Sequence, residues 1–184
     1  VYKRQVQKDG SIDVSACFAG AENLPDLPLF GLVLRLPKEF ENVLYYGLGP
    51  EENYIDRSRG ARLGKFKFTA PENLSRYVVP QECGNRTGVR FAEVTDADGF
   101  GLRFEANGTP FELQVLPYTA QELENALHPQ ELPPAAYTNI RIAAKQMGVG
   151  GDDSWGAPVH EDYHLPANRR YAFSFTIRKC GGEG

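Results

Sequence analysis

Three runs decide the fold class: Arg86-Thr87-Gly88-Val89-Arg90-Phe91-Ala92-Glu93-Val94, Gly99-Phe100-Gly101-Leu102-Arg103-Phe104-Glu105-Ala106 and Phe111-Glu112-Leu113-Gln114-Val115-Leu116. In the last two, Leu102, Phe104 and Ala106, then Phe111, Leu113 and Val115, alternate with charged or polar neighbours. A period of two puts one side-chain set on a buried face and the other on the opposite face, as in a half-buried strand. The runs are separated by Asp98-Gly99 and Asn107-Gly108. Both dipeptides accept positive backbone φ and so favour tight hairpin turns. Each of the three runs is read as one strand.

The same pattern extends in both directions. Upstream, Ser11 to Cys17 alternates Ile12, Val14 and Ala16 against Ser11, Asp13 and Ser15. The Asp9-Gly10 turn signal before it would join it to a preceding strand. Phe30 to Leu36 sets Phe30, Leu32, Leu34 and Leu36 on one face, Asn42 to Leu48 ends at Gly49-Pro50, and Lys65 to Thr69 alternates cleanly. Downstream, Thr119-x-x-Glu122 forms a capping box for one helix, with Leu123 and Leu127 spaced for one face and His128-Pro129 as its end. Tyr137 to Gly148 and Arg169 to Lys179 read as long strands, the latter with Tyr171, Phe173, Phe175 and Ile177 on one face. Many short strands with one brief helix, 13 prolines and 19 glycines predict an all-β antiparallel sandwich.

The 184 residues, 41% of them hydrophobic, suit one domain with a real core. A net charge of −4 without a basic run argues against a phosphate-binding surface, so nucleic acid is not an expected partner. No apolar run is long enough to span a bilayer, and no membrane partner is expected. Cys17, Cys83 and Cys180 lie far apart and form no Cys-x-x-Cys pair, so reduced thiols are expected and a metal site is not. The first five residues, Val1-Tyr2-Lys3-Arg4-Gln5, are what a common sequencing-library transposase adapter encodes in one frame. They are expected to be non-native and the chain a fragment; the alternative is native strand residues. Residues 6–180 are then the domain proper, and Gly181 to Gly184 a flexible tail.

Three segments carry a resemblance. They are Tyr46-Gly47-Leu48-Gly49-Pro50-Glu51-Glu52-Asn53-Tyr54-Ile55-Asp56-Arg57, then Tyr77-Val78-Val79-Pro80-Gln81-Glu82-Cys83-Gly84-Asn85-Arg86-Thr87-Gly88-Val89-Arg90, then Gly148-Val149-Gly150-Gly151-Asp152-Asp153-Ser154-Trp155. In order and spacing they resemble the C-terminal small-chain domain of the large lac-type β-galactosidases, glycoside hydrolase family 2. The resemblance implies a large antiparallel β-supersandwich, galactose mutarotase-like, at the end of a multidomain chain. This sequence resembles only its latter part, so an incomplete domain is expected. In that family the catalytic glutamates and the magnesium ligands lie in a (β/α)8 barrel that none of the three segments matches. Mg2+ and a monovalent cation are thus implied for the parent enzyme, with no cofactor, metal ligand or catalytic residue in this chain. The implied partners are the barrel and other domains of the parent, further copies of it in a homo-oligomer, and a galactoside or glucose in the acceptor site. The compartment stays open between cytoplasm and periplasm.

A retaining glycosidase needs two carboxyls about 5–5.5 Å apart. Glu51-Glu52 and Asp152-Asp153 are adjacent pairs, and neighbours on a strand point to opposite faces. Glu51-Glu52 reads as loop structure and surface charge. Asp56-Arg57, and Glu82 with Arg86 or Arg90, read as internal ion pairs, or else as sugar contacts on a concave sheet face. His128, His160 and His164 lack metal-ligand spacing, since Pro158 and Pro166 favour extended chain around the last two. Tyr163 and Leu165 are expected to face the core.

Trp155, the only tryptophan, ends a Gly-Gly-Asp-Asp-Ser string whose aspartates and serine can hydrogen-bond local amides and stiffen the loop. By itself a lone tryptophan is usually partly buried packing. The resemblance implies instead that Trp155 reaches the barrel's active site and stacks on the sugar in the acceptor (aglycone) position. Two competing functions remain. One is a stand-alone carbohydrate-binding or mutarotase-like module, for which no converging His and Glu pair is visible. The other is a structural domain of an inactive homologue.

Overall fold

The computed structural model describes residues 1–181, so the expected tail lies outside the described residues beyond Gly181. Among the described residues eleven strands run in chain order: β1 (Tyr2–Val6), β2 (Ile12–Phe18), β3 (Leu29–Pro37), β4 (Asn42–Gly49), β5 (Arg62–Thr69), β6 (Asn85–Val89), β7 (Phe91–Thr95), β8 (Gly101–Ala106), β9 (Phe111–Leu116), β10 (Tyr137–Gln146) and β11 (Tyr171–Cys180). All pair antiparallel, in a seven-stranded sheet of order β1-β2-β11-β8-β7-β4-β5 and a four-stranded sheet of order β3-β10-β9-β6. One helix, α1 (Ala120–Asn125), sits after β9. The expected antiparallel sandwich is what the chain forms.

The core lies between the two sheets and follows the period of two. Val14 and Ala16, Phe173 and Phe175, Phe104, and Val43 and Tyr45 come from the larger sheet. Phe111, Leu113, Val115, Ile140 and Ile142 come from the smaller one. Phe30, Leu32, Leu34 and Leu36 line one side of β3 and pack on this core only partly buried, because β3 is an edge strand. Completely removing such a side chain from water stabilises by roughly 1.5–3 kcal/mol, which makes this alternation the main source of strand register.

Two sequence expectations change. The run Arg86–Val94 is two strands, not one. β6 pairs with β9 in the smaller sheet, while β7 pairs with β4 and β8 in the larger. Gly88, at φ +64°, marks a register shift inside β6; the chain leaves the smaller sheet after Val89, and Arg90 then donates its amide to the Tyr46 carbonyl. Apolar residues continue through the corner because both sheets face one core, so the pattern does not reveal the break. The helix is also shorter than its pattern. Thr119 and Glu122 form the reciprocal capping box, but the helix stops at Asn125; Leu123 is buried and Leu127 is largely exposed. Pro129 opens a short 3-10 turn of its own, so the chain has already left the helix two residues before His128.

β1 forms the edge of the larger sheet, held by its backbone to β2 with every side chain exposed. The Asp9-Gly10 turn joins them as the sequence implied, with Gly10 at φ +79°.

Candidate functional site

Trp155 stands at the tip of a loop that leaves β10 and returns toward β11. Its side chain is 92% exposed, the most exposed large aromatic of the fold. A single exposed apolar side chain is ordinary, but tryptophan is among the residues enriched where binding energy concentrates.

The loop is held at its root, its tip and its return. At the root, Asp56 Oδ2 accepts the amides of Val149 at 2.9 Å and Gly150 at 2.8 Å, from a segment more than ninety residues earlier. Gly148 is required here: a Cβ would lie 2.8 Å from the Asp56 carboxyl carbon and 2.9 Å from Tyr163 Cβ. At the tip, Asp153 Oδ1 accepts the Trp155 amide at 2.7 Å and the Ala157 amide at 3.2 Å. Gly156 follows at φ +103°, a conformation that lets the chain turn immediately after the indole. On the return, Asp152 pairs with His160 Nε2 at 2.8 Å. His164 bridges Asp26 at 2.6 Å and the Val159 carbonyl at 2.9 Å. Both partners of His164 are acceptors, which favours the imidazolium. The bonds to Asp152 and to Asp26 hold the respective imidazoles above their ordinary value.

His160 and His164 thus tie the loop down, and among the described residues no group of His, Cys, Asp and Glu is arranged as a metal would need. One short 3-10 turn, Glu161–Tyr163, interrupts the extended chain expected there. Leu165 is buried as expected and Tyr163 half-buried.

Behind Asp56 lies a polar layer that differs from the expected ion pairs. Arg57 pairs with Glu52 rather than Asp56. Glu52 also accepts the Tyr77 hydroxyl at 2.6 Å, the Gly84 amide at 2.6 Å and the Ser75 hydroxyl at 3.0 Å. Burial alone would push the Glu52 carboxyl up; these donors and Arg57 together hold it below its ordinary value. Glu52 is therefore an internal organiser, while Glu51 alone is surface charge. Glu82 pairs with Arg141 from β10, at 2.7 and 3.0 Å, and takes the Gln114 amide at 2.7 Å and the Tyr54 hydroxyl at 3.2 Å. It does not pair with Arg86 or Arg90. Arg86 instead bonds Tyr45 and the Pro50 carbonyl beneath the loop, and Arg90 bonds the Gly88 carbonyl. The expected partners were near in sequence; the actual one, Arg141, becomes a neighbour only because β9 lies between β10 and β6.

The chain matches the family described as "Beta galactosidase small chain" over residues 2–177. It belongs to the β-galactosidase small-chain family. It is 52% identical over 174 residues to a "Beta-galactosidase" of Halalkalibacterium halodurans, covering 93% of this chain and 17% of that protein. Identity to a "Beta-galactosidase" of Lactobacillus delbrueckii subsp. bulgaricus is 48%, over 95% of this chain and 17% of that protein. A "Beta-galactosidase small subunit" of Latilactobacillus sakei is 35% identical over 94% of this chain and 57% of its own length. The chain thus spans less than a fifth of the first two relatives and about half of the separate small subunit.

Proposed function

We propose that this small chain serves a β-galactosidase hydrolysing terminal β-D-galactosides such as lactose, and that Trp155 is the stacking platform for the aglycone sugar. The observation that carries this reading is a nearly fully exposed indole on a loop fixed by Asp56, Asp153 and the two histidines. A ring held by its backbone loses little freedom when a pyranose C–H face packs on it, so most of the contact appears as affinity.

On this reading the bond-breaking belongs to another part of the parent protein. Glu52 and Glu82 spend their oxygens on internal donors, and Glu112 is buried against Asn85. None of these three faces an open site where it could protonate a leaving group or attack an anomeric carbon. The two carboxyls of a retaining mechanism, with the Mg2+ and monovalent cation of the parent enzyme, are assigned to the barrel portion of the protein. The small chain then works with that barrel, and with further copies in a homo-oligomer, through contact rather than chemistry.

The test is Trp155→Ala in the whole enzyme, with kcat/KM measured on lactose and on an aryl galactoside. Lactose is expected to lose about 1–2 kcal/mol of transition-state stabilisation and the aryl substrate less. Equal losses on both would mean damage to folding and not loss of a sugar contact.

A further inference from the structure

We infer that Asp56 is a positioning residue for the aglycone platform: its carboxylate sets the direction in which the Trp155 loop leaves β10. This rests on the acceptor role proposed for Trp155. One carboxylate oxygen accepts two successive amides, Val149 and Gly150, at 2.9 and 2.8 Å. Two bonds to adjacent peptide units fix both the position and the orientation of that backbone. A single bond would leave rotation free. The tie is made where the strand ends, so a small angular change there is carried to the indole five residues on.

The fit is close on both sides. The space where Gly148 would carry a Cβ is filled by the Asp56 carboxyl and Tyr163. The Gly148 amide donates to the Tyr163 carbonyl at 3.0 Å, so the strand end is gripped from two directions. Asp56 itself cannot drift. Its neighbours Tyr54 and Arg57 close a bridge, Arg57 bonds Glu52 and the Tyr77 hydroxyl, and Tyr54, fully buried, bonds Glu82. Asn53 next to them bonds the Leu48 and Glu51 carbonyls and accepts the Thr87 amide. The chain of contacts thus runs from the two sheets, through the 50–57 loop, to Asp56 and then to the platform.

The test uses the intact enzyme with Asp56→Ala, Asp56→Asn, Trp155→Ala and the double variant Asp56→Ala/Trp155→Ala. Hydrogen exchange at Val149 and Gly150 should be at least about tenfold faster in Asp56→Ala, a shift of one hydrogen-bond's scale. The kcat/KM on lactose should fall about three- to tenfold, and more than on an aryl galactoside. Asp56→Asn keeps an acceptor oxygen for the two amides and should lie nearer the wild type than Asp56→Ala in both readouts. The double variant should be no worse on lactose than Trp155→Ala, because Asp56 acts through that ring. Unchanged exchange in Asp56→Ala, or lactose losses that simply add in the double variant, would overturn the assignment. Faster exchange in Asp56→Ala together with a Trp155→Ala enzyme that treats both substrates alike would overturn the acceptor role while leaving the tie itself in place.

Discussion

Glu112 is the residue with the clearest pH signature. It projects from β9 into a buried polar patch, where Asn85 Nδ2 donates to it at 2.9 Å. Burial pushes its carboxyl up to about 7 against an ordinary 4.5, and the bonds from Asn85 and the Gln146 amide only partly oppose this. The folded pKa lies above the unfolded one, so the fold favours the protonated acid. That contribution is complete below pH 4.5 and is lost as pH rises through about 7, where ionised Glu112 costs at most on the order of 3 kcal/mol. Glu112→Gln should therefore protect the β9 amides from exchange in the intact protein near pH 8 and change little near pH 5. Equal effects at both would contradict the sign. At this scale the string Gly150-Gly151-Asp152-Asp153-Ser154-Trp155 is local, yet a lone tryptophan reads from sequence as packing, and the structure exposes it instead. The role of Asp56 was not legible, since its partners Val149 and Gly150 become neighbours only after both sheets have formed.

At the scale of elements, strand positions follow from alternation and turn chemistry, while the corner between β6 and β7 does not. Gly88 makes the register shift in β6 just before that corner, at φ +64°, where an L side chain is strained, and a Cβ would meet Leu48 at 3.3 Å. Gly88→Ala should cost about 1–2 kcal/mol and appear as faster exchange of the β6 amides, with β7 less affected. An unchanged β6 would mean that the register shift is not set by this conformation. The same reasoning explains the helix. The Thr119 capping box fixes its start through two reciprocal bonds, a local signal. Its end depends on Leu123 finding the small cluster with Cys83 and Leu116, which no spacing along the helix reports.

At the scale of the molecule, the two sheets hold the loops in place. The order of the three resembling segments pointed to the small-chain family, and the match over residues 2–177 shows it. Sheet order was not legible: β3 and β6 end up on opposite edges of one sheet although strands of the other sheet separate them in sequence. That arrangement brings Glu52, Asp56, Tyr77 and the Trp155 loop into one bonded layer, and it leaves the indole facing outward with its backbone fixed. If the small chain serves a retaining β-galactosidase as proposed, a covalent galactosyl intermediate would be open to either water or an acceptor sugar. The measurement to make is the ratio of galactosyl transfer to glucose over transfer to water, in the intact enzyme and in Trp155→Ala, at one fixed glucose concentration. Being a ratio of products, it does not depend on how much enzyme is folded. If Trp155 is the aglycone platform, the ratio falls about five- to thirtyfold in the variant; an unchanged ratio contradicts the account.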